Sequence, residues 1–183
     1  MNTDISHLGW RGKVGLILPS ANTVTEPVFY ALCPPGVSFH ASRTFITGTA
    51  REDIIAMEKD KERAVKELAS AKPDCLVDCC TASGVVRGLK EDQAYIEEVA
   101  KQTSIRTTST LQLILQALRT LGIARLVMTS PYPEAMDRLE GSFFQENGFE
   151  IIRTHGLNLR EATQLAQVPP DEIYRFCLDT WDG

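Results

Sequence analysis

The chain has 183 residues, 43% hydrophobic and 23% charged, ordinary proportions for a globular protein with a real core. Its net charge of −5, with acids and bases alternating along Glu58-Lys59-Asp60-Lys61-Glu62-Arg63, leaves no basic stripe and argues against nucleic acid as a partner. No apolar run approaches the roughly 20 residues that cross a bilayer, and Met1-Asn2-Thr3-Asp4-Ile5 lacks the plan of a signal peptide. Five cysteines, an odd number with two adjacent, do not read as a disulfide framework, so a cytoplasmic protein with reduced thiols is expected.

In chain order, Lys13-Val14-Gly15-Leu16-Ile17-Leu18 reads as a strand that ends in the loop Pro19-Ser20-Ala21-Asn22-Thr23. Thr25-Glu26-Pro27 suggests a helix start, with Thr25 as cap, before Pro34-Pro35-Gly36 breaks the chain. Residues 37–45 alternate as a second strand. Residues 51–71 read as one helix whose buried side is Ile54, Ile55, Met57, Ala64, Val65 and Leu68. Pro73-Asp74 ends it and launches a third strand, residues 75–79.

That strand delivers the most informative run of the chain, Asp78-Cys79-Cys80-Thr81-Ala82-Ser83-Gly84, to a loop. In an open α/β sheet ligands sit beyond the carboxyl ends of parallel strands, which places a cysteine arriving there among hydroxyls and a glycine for chemistry. Alternation puts Cys75, Val77 and Cys79 on one face and Leu76, Asp78 and Cys80 on the other. Burial is the ordinary fate of a free cysteine and suffices for Cys33, Cys75 and Cys177. Cys79 fits packing as well; Cys80, at the turn itself, is the candidate nucleophile or base.

Beyond this loop, residues 91–103 look helical, residues 105–108 look like a short strand, and Ser109 is a good cap for a helix over residues 111–121 that Gly122 ends. A strand over residues 125–129 opens the loop Ser130-Pro131-Tyr132-Pro133. A helix over 134–147 stops at Gly148, and 149–153 form a further strand. Residues 161–167 are ambiguous, and Pro169-Pro170-Asp171 opens a last helix, residues 172–179. The alternation of strand and helix predicts parallel α/β architecture. Repeated strand–loop–helix starts at Pro19-Ser20 and Ser130-Pro131-Tyr132 fit two similar lobes with a cleft between them, residues 1–114 and 115–183, the second ending where another strand should begin.

Such a cleft would collect residues 19–23, 80–84, 107–109 and 130–132, a set rich in hydroxyls and amides. It has no lysine clamp and no glycine-rich phosphate loop, which suits a small carboxylate held by neutral donors better than a nucleotide. His7, His40 and His155 are scattered, and Cys75-x3-Cys79 lies within a strand, so a metal site is not expected. Without a histidine partner, Cys80 would have to gain thiolate character from backbone dipoles and hydroxyl donors. Proton abstraction beside a carboxylate builds an enediolate, for which Thr81, Ser83, Asn22 and Tyr132 are the candidate oxyanion donors. Asn22 could equally hold a turn and Tyr132 equally roof the cleft, while Ser130, Thr107 and Ser109 fit capping better than catalysis.

Taken in order, Pro19-Ser20-Ala21-Asn22-Thr23, Cys80-Thr81, Thr107-Thr108-Ser109-Thr110 before a helix ending Leu121-Gly122, and Thr129-Ser130-Pro131-Tyr132 resemble the aspartate/glutamate racemase superfamily. The branch that looks closest is that of maleate cis-trans isomerase and arylmalonate decarboxylase, and the similarity runs from about Lys13 to Gly183. The resemblance implies a cofactor-independent enzyme of two pseudo-symmetric α/β lobes, with one catalytic cysteine from each. It assigns Cys80 as the first cysteine, Asn22 as the carboxylate-binding asparagine, Thr81 as an oxyanion-binding position and Tyr132 as the cleft tyrosine, with Ser20 and Ala82 among the substrate-binding positions. The second cysteine would follow a turn like Trp181-Asp182-Gly183; Cys177, inside a predicted helix, is no substitute. The chain as given is therefore expected to turn over little or no substrate.

Two departures restrict the branch. The resemblance implies glycine at the place of Cys80 in arylmalonate decarboxylases, and an asparagine at the place of Ala162 in maleate isomerases. The expected activity is isomerisation or racemisation of a small carboxylate or dicarboxylate through a cysteine thiolate. The alternatives are an arylmalonate decarboxylase-like lyase and a binding protein that holds a small carboxylate unchanged. Apolar helix faces allow a homo-oligomer, which is expected.

Overall fold

The computed structural model describes residues 9–181. The N-terminal segment read for a leader, His7, and the Asp182-Gly183 end of the last turn lie outside them.

Two parallel sheets form. The first has the order β2-β1-β3-β4, from β1 (Gly12–Pro19), β2 (Val37–Thr44), β3 (Cys75–Asp78) and β4 (Arg106–Ser109). The second pairs β5 (Arg125–Ser130) with β6 (Glu150–Gly156), with an irregularity at Leu126/Val127. Between the strands run α1 (Thr25–Leu32), α2 (Arg51–Met57), α3 (Lys61–Ser70), α4 (Thr81–Arg87), α5 (Leu89–Thr103), α6 (Thr110–Thr120) and α7 (Glu134–Glu146), and α8 (Pro170–Thr180) follows β6. The expected parallel α/β architecture in two sheets is what forms.

The central strand β1 is apolar on both faces because helices cover both. Ile17 packs with Ala64, Val65 and Leu68 of α3 and Val99 of α5, while Leu16 and Leu18 point the other way onto Cys79, with Phe29 of α1 alongside. On the second sheet, Phe143, Phe144 and Phe149 meet Leu111 and Leu115 of α6, so this helix ties the two sheets together. The expected division between residues 114 and 115 falls inside α6. A fourth cluster, Ile46, Ile54, Met57, Cys80, Ala82, Met136 and Ala162, draws on both parts of the chain and lies under the site described below.

Several local expectations are corrected. The helix expected over 51–71 is interrupted by a 3₁₀ turn at Glu58–Asp60, which brings Lys61 to the same side as Glu58, 2.8 Å away. Ile55, expected inside, is 41% exposed. The cap of α1 is not Thr25: the Asn22 side-chain oxygen accepts the N–H groups of Val24 and Thr25, both at 3.0 Å. The largest miss is α4, expected as a loop. Its run Thr-Ala-Ser-Gly-Val-Val is poor in helix formers, and the helix forms because Ala82, Ser83, Gly84 and Val85 are buried by their neighbours. Ser109 does cap α6, accepting the Gln112 N–H at 3.2 Å, and Gly122 follows that helix at φ 67° in the left-handed region that glycine tolerates.

Candidate active site

The parallel strands bring Pro19, Asp78, Ser109 and Ser130 to the carboxyl edges of their sheets, the place where open α/β sheets bind ligands. A cavity of about 440 Å³ opens there. Pro19, Ala21 and Asn22 line it from the end of β1, Cys79, Cys80 and Thr81 from β3, Thr110 from β4 and Tyr132 from β5. The wall is completed by two segments that clasp each other across the sheets. Gly48 bridges Glu161, Thr49 Oγ1 donates to the Leu159 carbonyl at 2.8 Å, and the Ala162 N–H donates to the Thr47 carbonyl at 2.8 Å. Thr49 and residues Ala162, Leu165 and Ala166 thereby reach the cavity, and sequence reasoning missed all of them as lining except the departure noted at Ala162. The 3₁₀ turn Ala162–Gln167, which carries these residues, is the segment whose pattern was ambiguous.

Cys80 is the residue that caps the N-terminus of α4, in extended conformation, and is 8% exposed. Burial pushes its thiol up to about 11, with the Asp78 carboxylate adding to the rise; Lys61 and the Ser83 backbone N–H act in the opposite sense. The expectation that dipoles and hydroxyls lower the thiol below its ordinary value is thus corrected for the unliganded site: desolvation of the charged form outweighs one N–H donor. Cys79 is pushed higher, to about 12, by burial and then Asp78; its sulfur faces the Val77 carbonyl, and it packs on Leu16 and Leu18.

Around Cys80 stand neutral donors. Thr81 Oγ1 lies 3.3 Å from Thr110 Oγ1, itself 3.4 Å from the Asp78 carbonyl. Asn22 uses one amide hydrogen on Thr25 Oγ1 at 2.9 Å, and an amide has a second to offer. The Tyr132 phenol is pushed up by burial, then by the neighbouring Cys80 and Glu140, so it stays a protonated donor. The first-turn N–H groups of α4, Thr81 to Ser83, have no partner within the helix by its geometry. Among the described residues, no lysine, arginine, histidine, aspartate or glutamate lines the cavity, and no group of three His, Cys, Asp or Glu could hold a metal ion.

Of the residues singled out from the sequence, Asn22, Cys80, Thr81 and Tyr132 line one cavity. Ser20 does not: its hydroxyl is committed to Ile46, accepting that N–H at 3.0 Å and donating to that carbonyl at 3.3 Å, which fixes the loop to the chain after β2. Ala82 is fully buried in the cluster beneath, so its methyl cannot meet a ligand and only its backbone could. Cys177 lies on α8, 3.4 Å from Thr129 Oγ1 and away from the cavity.

The sequence profile of the arylmalonate decarboxylase family matches residues 14–183. The chain belongs to the arylmalonate decarboxylase family. Its relatives include the maleate isomerase of Nocardia farcinica, 26% identical over 170 residues that cover 88% of this chain and 68% of that protein. The maleate isomerase of Pseudomonas putida is 25% identical over 176 residues, 88% of this chain and 69% of that one. Among solved structures, a mutant of the Nocardia farcinica maleate cis-trans isomerase with a covalently bound succinylcysteine intermediate aligns at a TM-score of 0.83 and 24% identity, over 90% of this chain and 70% of that one. Pseudomonas putida maleate isomerase with maleate aligns at 0.84 and 20%, over 91% and 72%. Unliganded arylmalonate decarboxylase aligns at 0.74 and 18%, over 92% and 71%. The family fold is therefore that of the aspartate/glutamate racemase-like proteins, as the motifs implied.

Proposed function

We propose that the chain carries the Cys80 half of a cofactor-independent isomerase that acts on a small cis-unsaturated dicarboxylate, in the manner of maleate isomerase. The observation that carries this reading is one uncharged cavity in which Cys80 stands among Asn22, Thr81, Thr110 and Tyr132. A dianion entering such a site meets donors that hold carboxylate oxygens without a fixed cation. It is also the base at hand for the Cys80 proton, since the thiol is protonated in the empty site.

The thiolate then adds to one alkene carbon. A C–S bond forms, and the π pair moves onto the adjacent carboxylate as an enediolate. Hydroxyl and N–H donors placed before charge develops are the largest stabilising influence on such an oxyanion. The former double bond is now single and rotates; the pair returns, the C–S bond breaks, the substrate carboxyl gives its proton back to the sulfur, and the trans dianion leaves with the thiol restored. A succinyl group on cysteine, as the Nocardia farcinica relative carries, is what thiol addition across such an alkene leaves once a proton is added.

The apolar part of the wall, Val24, Phe29, Ile46, Ile54 and Leu165, favours a second reading, decarboxylation of a malonate with an apolar substituent. One experiment separates the readings. The protein is incubated in deuterated water with maleate and with α-substituted malonates; NMR follows isomerisation, α-exchange and carbon dioxide loss, and peptide mass spectrometry follows a succinyl adduct on Cys80. Adduct and isomerisation that both vanish in Cys80→Ala support the proposal. Conversion that survives Cys80→Ala refutes it, and binding with neither adduct nor exchange leaves a carboxylate-binding protein.

A further inference from the structure

Behind Cys80, away from the cavity, lies a buried ionic cluster. Lys61 is only 3% exposed. Its ammonium donates to Asp78 Oδ2 at 2.5 Å and Ser83 Oγ at 2.7 Å, and pairs with Glu58 Oε1 at 2.8 Å. Asp78 precedes the cysteine turn at the end of β3, and Ser83 follows it in the first turn of α4. One side chain from a third element therefore bonds both flanks of the turn that presents Cys80. Arg87 joins from the far side, pairing with Glu58 at 2.7 Å, Asp78 at 2.8 Å and Asp92 at 2.7 Å, and its guanidinium lies 4.4 Å from the centre of the Tyr95 ring. Asp78 Oδ1 remains buried without a hydrogen-bond partner, so Lys61 and Arg87 are all that offset its charge among the described residues.

Burying an ammonium is expensive, and apolar residues of similar volume often do as well for stability alone. The placement of this one points to the cysteine. We propose that Lys61 is a positioning residue for the chemistry at Cys80: its ammonium staples Asp78 to Ser83 across the cysteine turn and sets the electrostatic field at the sulfur. This rests on the reading of Cys80 as the reacting group.

The charges around the sulfur define what the staple does. From its own strand Cys80 meets Asp78 and Cys79, from the 3₁₀ turn Glu58, from α3 Lys61, and from the loop after β5 Tyr132. Arg87 pairs with Asp78 and Asp92, and Glu140 of α7 acts, as Cys80 does, on the Tyr132 phenol. Burial and Asp78 oppose the thiolate and Glu58 adds to them; Lys61 is the foremost influence that favours it, ahead of the Ser83 N–H.

The test is the pH dependence of Cys80 alkylation by iodoacetamide, resolved by peptide mass spectrometry on the full chain, with thermal melting as the fold control. Lys61→Met is expected to raise the midpoint by about one pH unit or more and to slow alkylation at fixed pH about tenfold. Lys61→Arg, which keeps a cation between Asp78 and Ser83, restores part of the loss. Glu58→Gln leaves Lys61 bonded to Asp78 and Ser83 and removes one anion, so it moves the midpoint down. That variant decides the matter where Lys61→Met does not fold. A midpoint unchanged in Glu58→Gln, or unchanged in folded Lys61→Met, overturns the proposal. Alkylation needs no turnover, so conversion that persists in Cys80→Ala would defeat the functional reading while a shifted midpoint still upholds the role of Lys61 at the sulfur.

Discussion

Gly84 lets α4, the helix behind the cysteine, pack closely on Leu111 of α6. A β-carbon there would stand 2.7 Å from Leu111 Cδ2, 3.0 Å from Leu111 Cβ and 3.1 Å from Asp92 Oδ1. Leu111 cannot retreat, being fully buried in the cluster with Val85, Leu115, Phe143, Phe144 and Phe149. Gly84→Ala therefore sets two effects against each other: roughly 1 kcal/mol of helix propensity gained, and about 1–3 kcal/mol lost to overpacking. Net destabilisation of about 1 kcal/mol is expected, with α4 displaced and Cys80 alkylated faster as its turn loosens. Leu111→Ala by itself costs about 2–5 kcal/mol through the cavity it leaves. In that background the contact with Cδ2 is gone while the 3.0 Å approach to the residue-111 β-carbon and the 3.1 Å approach to Asp92 Oδ1 remain, so the propensity gain is largely offset and the same glycine substitution becomes close to neutral, within roughly 0.5 kcal/mol of zero. Urea unfolding of the four proteins measures the coupling, expected at about 1 kcal/mol. A coupling within about 0.3 kcal/mol of zero would show that helix packing does not require glycine at this position.

The thiol itself gives a second prediction. With Cys80 held at about 11 against an ordinary value of 9.0, its thiolate fraction at neutral to mildly alkaline pH is about a hundredfold below that of an exposed cysteine. Alkylation in the unliganded protein should be slower by at least that factor, and a rate equal to that of a peptide cysteine would refute the buried, protonated thiol. A third concerns Glu140 on α7, whose carboxyl is pushed up to about 7 by burial and then by Asp137. The folded protein binds this proton more tightly than the unfolded chain. The stabilisation is complete below the ordinary carboxyl value of 4.5 and is lost as pH rises through about 7. Glu140→Gln, neutral throughout, should gain up to about 3 kcal/mol on the parent between about pH 4 and about pH 9; parallel stability–pH curves for the two proteins would refute it.

Strands, their order of appearance and the cysteine turn were legible because burial on both faces leaves a continuous apolar run, as in Leu16-Ile17-Leu18, and because the carboxyl end of such a run is where polarity must return. The identity of Cys80, Asn22, Thr81 and Tyr132 as neighbours was legible through four short motifs. Helix α4 was not, since Thr-Ala-Ser-Gly-Val-Val has no local preference for helix and acquires it only from the surfaces that bury it. Ser20 showed the converse: a hydroxyl in the right loop is indistinguishable in sequence from a ligand-binding one until its bonds to Ile46 are seen. The same limit concealed Thr49, Leu165 and Ala166, which reach the cavity through pairings between segments more than a hundred residues apart in the chain, Thr49 to Leu159 among them.

By itself the sequence determined the parallel α/β class, the uncharged character of the strand-end loops and the cysteine that they present, because these follow from the alternation and composition of local runs. Only the tertiary structure decided the state of that cysteine. Glu58 and Lys61 read along the chain as part of a pattern of alternating charge, and folding buries Lys61 against Asp78 while it closes the cavity over Cys80. The field at the sulfur is set by charges from β3, α3, α4 and the turn between α2 and α3, and no local pattern carries the distances between them.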